Sequence, residues 1–84
     1  MLKNIASASK NAETHFKNAI GLAQEIGAKG IEGQAWLELG KLYIVKNKKV
    51  DARQAVNSSI EIFRLCNIET HRRQAENVLN SIGK

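Results

Sequence analysis

Apolar residues recur along this chain at steps of three and four, and the pattern breaks where a helix can turn. Ala12, Phe16, Ala19, Ile20, Ala23 and Ile26 fall on one helical face. Gly27 follows as a C-cap, because glycine reaches the left-handed conformation that ends helices. Gly30 and Gly33 bracket the start of a second segment carrying Ala35, Trp36, Leu37, Leu39, Leu42, Tyr43, Ile44 and Val45. These nearly encircle the axis and leave Gln34, Glu38 and Lys41 as a narrow polar stripe, which predicts a helix packed on more than one side. Asn47 suits a left-handed turn, and Ala52, Val56, Ser59, Ile60, Phe63 and Cys66 then share a third face. Asn67 stands in the place of Gly27, and Ala75, Val78, Leu79 and Ile82 mark a fourth helix ending near Gly83. The pattern predicts an all-α chain of about four helices, over 8–27, 31–46, 49–66 and 69–82.

The segments repeat. Shifting the sequence by 40 residues lays Ala12 on Ala52, Phe16 on Val56, Ala19 on Ser59, Ile20 on Ile60 and Ala23 on Phe63. Leu22 meets Ile62, Ile26 meets Cys66, Gln34-Ala35 meets Gln74-Ala75, and Leu39 meets Leu79. Self-similarity at such a period marks stacked helical hairpins. The last helix is more polar than its counterpart, with Glu76 matching Trp36 and Asn80 matching Gly40, as expected of a capping helix.

The run Trp36-Leu37-Glu38-Leu39-Gly40-Lys41-Leu42-Tyr43 resembles the tetratricopeptide pattern W-x-x-L-G-x-x-Y without a gap. Ala52, Val56 and Ser59 fall on the small, bulky and small positions that follow in that family, although it prefers Ala where Ser59 stands. The closing Pro of the family is absent. Phe16 to Gly27 is similar to the second helix of the long-loop variety found in large bacterial signalling and regulatory proteins. The resemblance covers roughly residues 10–82 and implies an α-α superhelix. It divides the chain into the second helix of an incomplete repeat (8–27), a complete repeat (31–66) and a capping helix (69–82). Ala12, Phe16, Ala19, Trp36, Leu39, Gly40, Tyr43, Ala52, Val56 and Ser59 would form the repeat core. Small Gly40 and Ala52 let two antiparallel helices approach, while Trp36 and Tyr43 fill the wedge beside them.

Composition narrows function by exclusion. With 43% hydrophobic and 25% charged residues, the 84-residue chain is too apolar for a disordered tail, and no run nears the ~18 apolar residues of a bilayer crossing. The lone Cys66 has no internal disulfide partner and sits at a core position of the repeat, which suits a reducing cytoplasm. His15 and His71 lie on different helices with no thiol or carboxylate at motif spacing, and one Cys with two distant His makes no zinc site. Gly27, Gly30 and Gly33 follow a helix rather than a strand, so they read as turn punctuation and not as a phosphate loop. The expectation is a protein without catalytic activity, metal or cofactor.

Binding has more support. The resemblance implies that the helix over 31–46 lines a concave surface for a peptide or partner helix. Helical phase places Gln34, Leu37, Lys41, Ile44 and Val45 away from the Trp36–Leu39–Tyr43 face, with Lys48 just beyond. The same apolar residues would equally suit packing on a neighbouring repeat. A net charge of +5, with Lys46, Lys48, Lys49 and Arg53 at one turn and Arg72-Arg73 at another, raises nucleic acid as the alternative ligand. No aromatic residue is interleaved for base stacking, which counts against it. A purely structural oligomerisation segment is the other alternative. The first helix lacks its usual hairpin partner, although Leu2, Ile5 and Ser9 could extend it backward. A piece of a longer array would explain this, and so would a homodimer covering the exposed face.

Overall fold

The computed structural model describes residues 2–82, with side chains over 11–82. Four α-helices follow in order: α1 (Leu2–Ile26), α2 (Lys29–Val45), α3 (Lys49–Leu65) and α4 (Glu69–Ile82), with no strand among the described residues. The protein is all-α. Two helix starts differ from the sequence expectation, and the ends of α1, α2 and α3 fall one residue earlier. α1 begins at Leu2 rather than at residue 8, and α2 begins at Lys29 rather than Ile31. Gly30 and Gly33 thus lie inside α2, and Gly33 is there because a neighbour leaves no room for a side chain. Gly83 lies outside the described residues, as do the side chains of Leu2, Ile5 and Ser9.

The three turns are copies of one another at half the sequence period. Gly27, Asn47 and Asn67 are spaced by 20 residues and adopt φ of 72°, 63° and 58°. Each donates its N–H three residues back, to the carbonyl of Gln24, Ile44 or Arg64. The following residue donates five back: Ala28 to Ala23, Lys48 to Tyr43 and Ile68 to Phe63, all at 2.8–2.9 Å. This double closure satisfies the last carbonyls of the helix. The same residue then opens the next helix, accepting from Glu32, Ala52 or Arg72. Ala28 and Lys48 accept no side-chain cap hydrogen bond, so the two-bond closure and left-handed residue set these boundaries.

The helices form an open slab of 42 × 34 × 18 Å, not a closed bundle. α2 packs against α1 and α3, and α3 packs against α4. α2 also meets α4, whereas α1 meets neither α3 nor α4 among the described residues. Ile20, Leu39, Val56, Ile60, Phe63, Ala75 and Ile82 lie in one buried cluster, with Phe16, Trp36, Val78 and Leu79 packed on it.

The α2–α3 contact is the closest. A Cβ on Gly40 would stand 2.5 Å from Val56 Cγ2, and one on Gly33 would stand 2.7 Å from Phe63 Cε1. Leu37, one turn after Gly33 and just before Gly40 on the same side, is 1% exposed. That burial corrects the sequence expectation of Leu37 as a ligand residue. The α2 side bearing Gly33, Leu37 and Gly40 is used within the fold, because α2 has neighbours on three sides. Cys66 and Ile26 also depart from expectation: Cys66 is half-buried and Ile26 is 67% exposed, since both stand where their helices run out into turns.

Candidate protein-binding surfaces

α1 is fastened to α2 by two buried or half-buried carboxylates. Near the end of α2, the Tyr43 hydroxyl donates to Glu13 Oε2 at 3.0 Å and the Lys46 ammonium to Oε1 at 3.0 Å. Lys17 adds an ion pair at 3.1 Å. The bonds from Lys46, Lys17 and Tyr43 lower the Glu13 carboxyl from an ordinary 4.5 to about 2. Burial, and then the bond to Glu13, raises the Tyr43 hydroxyl above its usual value. Near the start of α2, Glu32 is 5% exposed and accepts from Gln24 Nε2 at 3.1 Å and Trp36 Nε1 at 3.4 Å. The Lys29 ammonium lies 3.6 Å from Oε1, close enough to balance charge though long for a hydrogen bond.

Between these two clamps opens a groove of about 400 Å³. Trp36, Leu39 and Tyr43 of α2 line it, with Lys17, Ile20, Gly21 and Gln24 from α1 and Asp51, Gln54 and Ala55 from α3. The groove exists because α1 and α3 both lean on α2 without touching each other. Gly21 is an unusual occupant of a helix interior, where glycine costs about 1 kcal/mol relative to alanine. Gly33 and Gly40 are explained by close approach, but a Cβ on Gly21 would meet nothing within 4 Å. The chain's own packing gives no reason for glycine there.

The surface expected from the sequence is more polar than it read. With Leu37 buried, the outer stripe of α2 runs Ile31, Gln34, Glu38, Lys41 and Val45, of which Gln34 and Glu38 are half-buried. Gln34 donates to Glu38 at 3.0 Å and Lys41 does so at 3.3 Å, so its centre is internally paired. Ile44 and Val45 are exposed at the end of α2, and Lys48 folds back over the Tyr43 ring, 6.0 Å from its centroid. The structure therefore does not gather Gln34, Leu37, Lys41, Ile44, Val45 and Lys48 into one surface. Among the expected core residues, Leu39, Gly40, Tyr43, Ala52, Val56 and Ser59 are buried, whereas Ala12, Phe16, Ala19 and Trp36 are half-buried.

The basic turns are partly neutralised. Lys46 pairs with Glu13, Arg72 with Glu69 and Glu76, and Arg73 with Glu69. His15 is exposed and His71 half-buried against Phe63, on helices that do not meet. Among the described residues, no group of three or more His, Cys, Asp or Glu side chains could hold a metal ion, and no helix is long and apolar enough to cross a membrane. Neither a protein-family model, nor a curated protein, nor a solved structure matches the chain.

The groove escaped the sequence reading because its residues come from three helices. Only Gly21 offered a signal, as a glycine within an otherwise unbroken helical pattern.

Proposed function

We propose that this chain is a protein-interaction module of tetratricopeptide type, holding a peptide or partner helix rather than carrying out a reaction. The observation that supports this reading is the groove between α1 and α3. Its floor is apolar and aromatic, its rim carries amide and charged groups, and Gly21 leaves one wall bare. Such a combination suits a segment whose apolar side chains face Trp36 and Leu39 while its main chain passes close to Gly21. A cytoplasmic setting belongs to the same proposal, with Cys66 as an unpaired thiol.

The nucleic-acid alternative loses support from the ion pairs that consume Lys46 and Arg72.

Selection from a random displayed-peptide library, followed by titration against Trp36 fluorescence, tests the proposal. Peptides that bind the wild-type chain and lose at least tenfold affinity to Gly21→Arg would support it. Gly21 is exposed, so this variant obstructs the groove without entering the core. If no peptide is enriched, or enriched peptides ignore Gly21→Arg, the groove is not a binding site.

A further inference from the structure

The two ends of the helical slab are unlike. On α3, the strip Ala52, Ala55, Ser59 and Ile62 is buried, and Gly33 of α2 lies against Ile62. The same strip displaced by 40 residues is Ala12, His15, Ala19 and Leu22, continued by Ile26 on α1. Ala12 and Ala19 are half-buried, Ala19 against the core, while His15, Leu22 and Ile26 are exposed. Leu22 is 58% exposed where its counterpart Ile62 is 9% exposed. At the opposite end, the positions of α4 matching Gly33, Leu37 and Gly40 are Arg73, Asn77 and Asn80, all exposed. The α1 side therefore exposes the large apolar Leu22 and Ile26, whereas the matching side of α4 is polar.

This asymmetry selects among arrangements of copies. Head-to-tail stacking would press Arg73, Asn77 and Asn80 onto the apolar side of α1, with bulk where α2 needs glycine to approach α3. A two-fold pairing of α1 side with α1 side leaves a polar α4 at both extremities and closes the assembly. The strip is also suited to pair with itself. Ala12, His15, Ala19, Leu22 and Ile26 follow steps of three, four, three and four, the spacing of a helix–helix seam. Alanines stand at its start and middle, and the large Leu22 and Ile26 at its end. Antiparallel pairing about Ala19 sets Ala12 opposite Ile26 of the second copy, His15 opposite Leu22, and the two Ala19 residues opposite each other.

We infer that α1 is a self-association surface, through which two copies of this chain pair antiparallel along Ala12, His15, Ala19, Leu22 and Ile26. The groove described above lies on a different side of α1, lined by Lys17, Ile20, Gly21 and Gln24, and stays open in the pair. The inference thus stands or falls separately from peptide binding.

Sedimentation equilibrium over a hundredfold concentration range tests it, on the wild-type chain and on Leu22→Arg and Val45→Arg. Both replaced side chains are exposed, so neither change should disturb the helical fold, which far-UV circular dichroism checks. The expected result is a mass twice the 9.3 kDa chain for wild type and Val45→Arg, with dimer dissociation at least tenfold stronger for Leu22→Arg. A wild-type monomer at every concentration would overturn the inference and leave the strip to a flanking segment or another protein. So would a dimer that Leu22→Arg leaves intact. Direction is read by cross-linking in a Cys66→Ser background. Mixed Ala12→Cys and Ile26→Cys chains should form a disulfide, and a disulfide formed by Ile26→Cys alone but not by the mixture would overturn antiparallel pairing.

Discussion

Replacing Gly40 by alanine separates two opposing effects that the structure makes measurable. In an isolated helix the change would be favourable by about 1 kcal/mol, because alanine loses less conformational freedom and shields the backbone. Here the new methyl would stand 2.5 Å from Val56 Cγ2 and 3.4 Å from both the Ala52 carbonyl oxygen and the Val56 nitrogen. Val56 is wholly buried, and a β-branched residue in a helix has essentially one comfortable χ1, so it cannot swing aside. The backbone atoms behind it limit the alternative of sliding α2 over α3. Overpacking of this kind costs about 1–3 kcal/mol, which leaves a net loss of roughly 1 kcal/mol, up to 2, after the helix gain.

Gly21→Ala is the matched control. Its Cβ meets nothing within 4 Å, so the full gain of about 1 kcal/mol should appear. The two variants should differ by about 1–3 kcal/mol, or at least ~4 °C in thermal midpoint for a domain of this size. Urea unfolding followed by far-UV circular dichroism measures both. In a Val56→Ala background the Gly40→Ala penalty should vanish and turn into a gain, because the clashing methyl is gone. A Gly40→Ala chain as stable as Gly21→Ala would refute the close-approach argument. A penalty that persists without Val56 would show that the obstruction is backbone.

Three further outcomes follow from the turns and the clamps. Gly27→Ala places a Cβ on a residue at φ 72° and should cost ~1–2 kcal/mol in urea unfolding, while Asn47→Gly should be neutral or slightly stabilising. Trp36→Phe removes one donor from buried Glu32, leaving Gln24 and Lys29; the lost bond is long, so about 1 kcal/mol is expected, and an unchanged urea midpoint would contradict it. For Glu13 the sign follows from its carboxyl, which is lowered to about 2 when folded against 4.5 ordinarily. Its contribution is present above pH 4.5 and lost as pH falls toward 2, so wild type should lose stability over that window more steeply than Glu13→Gln. Parallel acid limbs for the two proteins would exclude the Glu13 network as the cause.

Much of the architecture could be read along the chain because helices and turns depend on neighbours in sequence. Steps of three and four marked all four helices, and Gly27, Asn47 and Asn67 marked where they stop. The backward extension of α1 and the inclusion of Gly30 and Gly33 in α2 were less legible. Glycine looks like a breaker in sequence, and only a partner such as Phe63 reveals it as a contact. Leu37 shows the same limit. Helical phase correctly set it apart from Trp36 and Tyr43, but α2 has more than one packed side, so being turned from one neighbour did not mean facing water.

The sequence by itself determined helix content, turn positions and the polar character of the last helix, because these rest on local hydrogen bonding and side-chain preference. Tertiary structure alone decided which apolar faces were used up. Burial depends on how many helices reach a face, a quantity no single segment carries. Thus α3 and α1 bear matching strips, yet one is buried while Leu22 and Ile26 of the other stay exposed. The groove has the same origin, since it is the space left where two helices share a third without meeting.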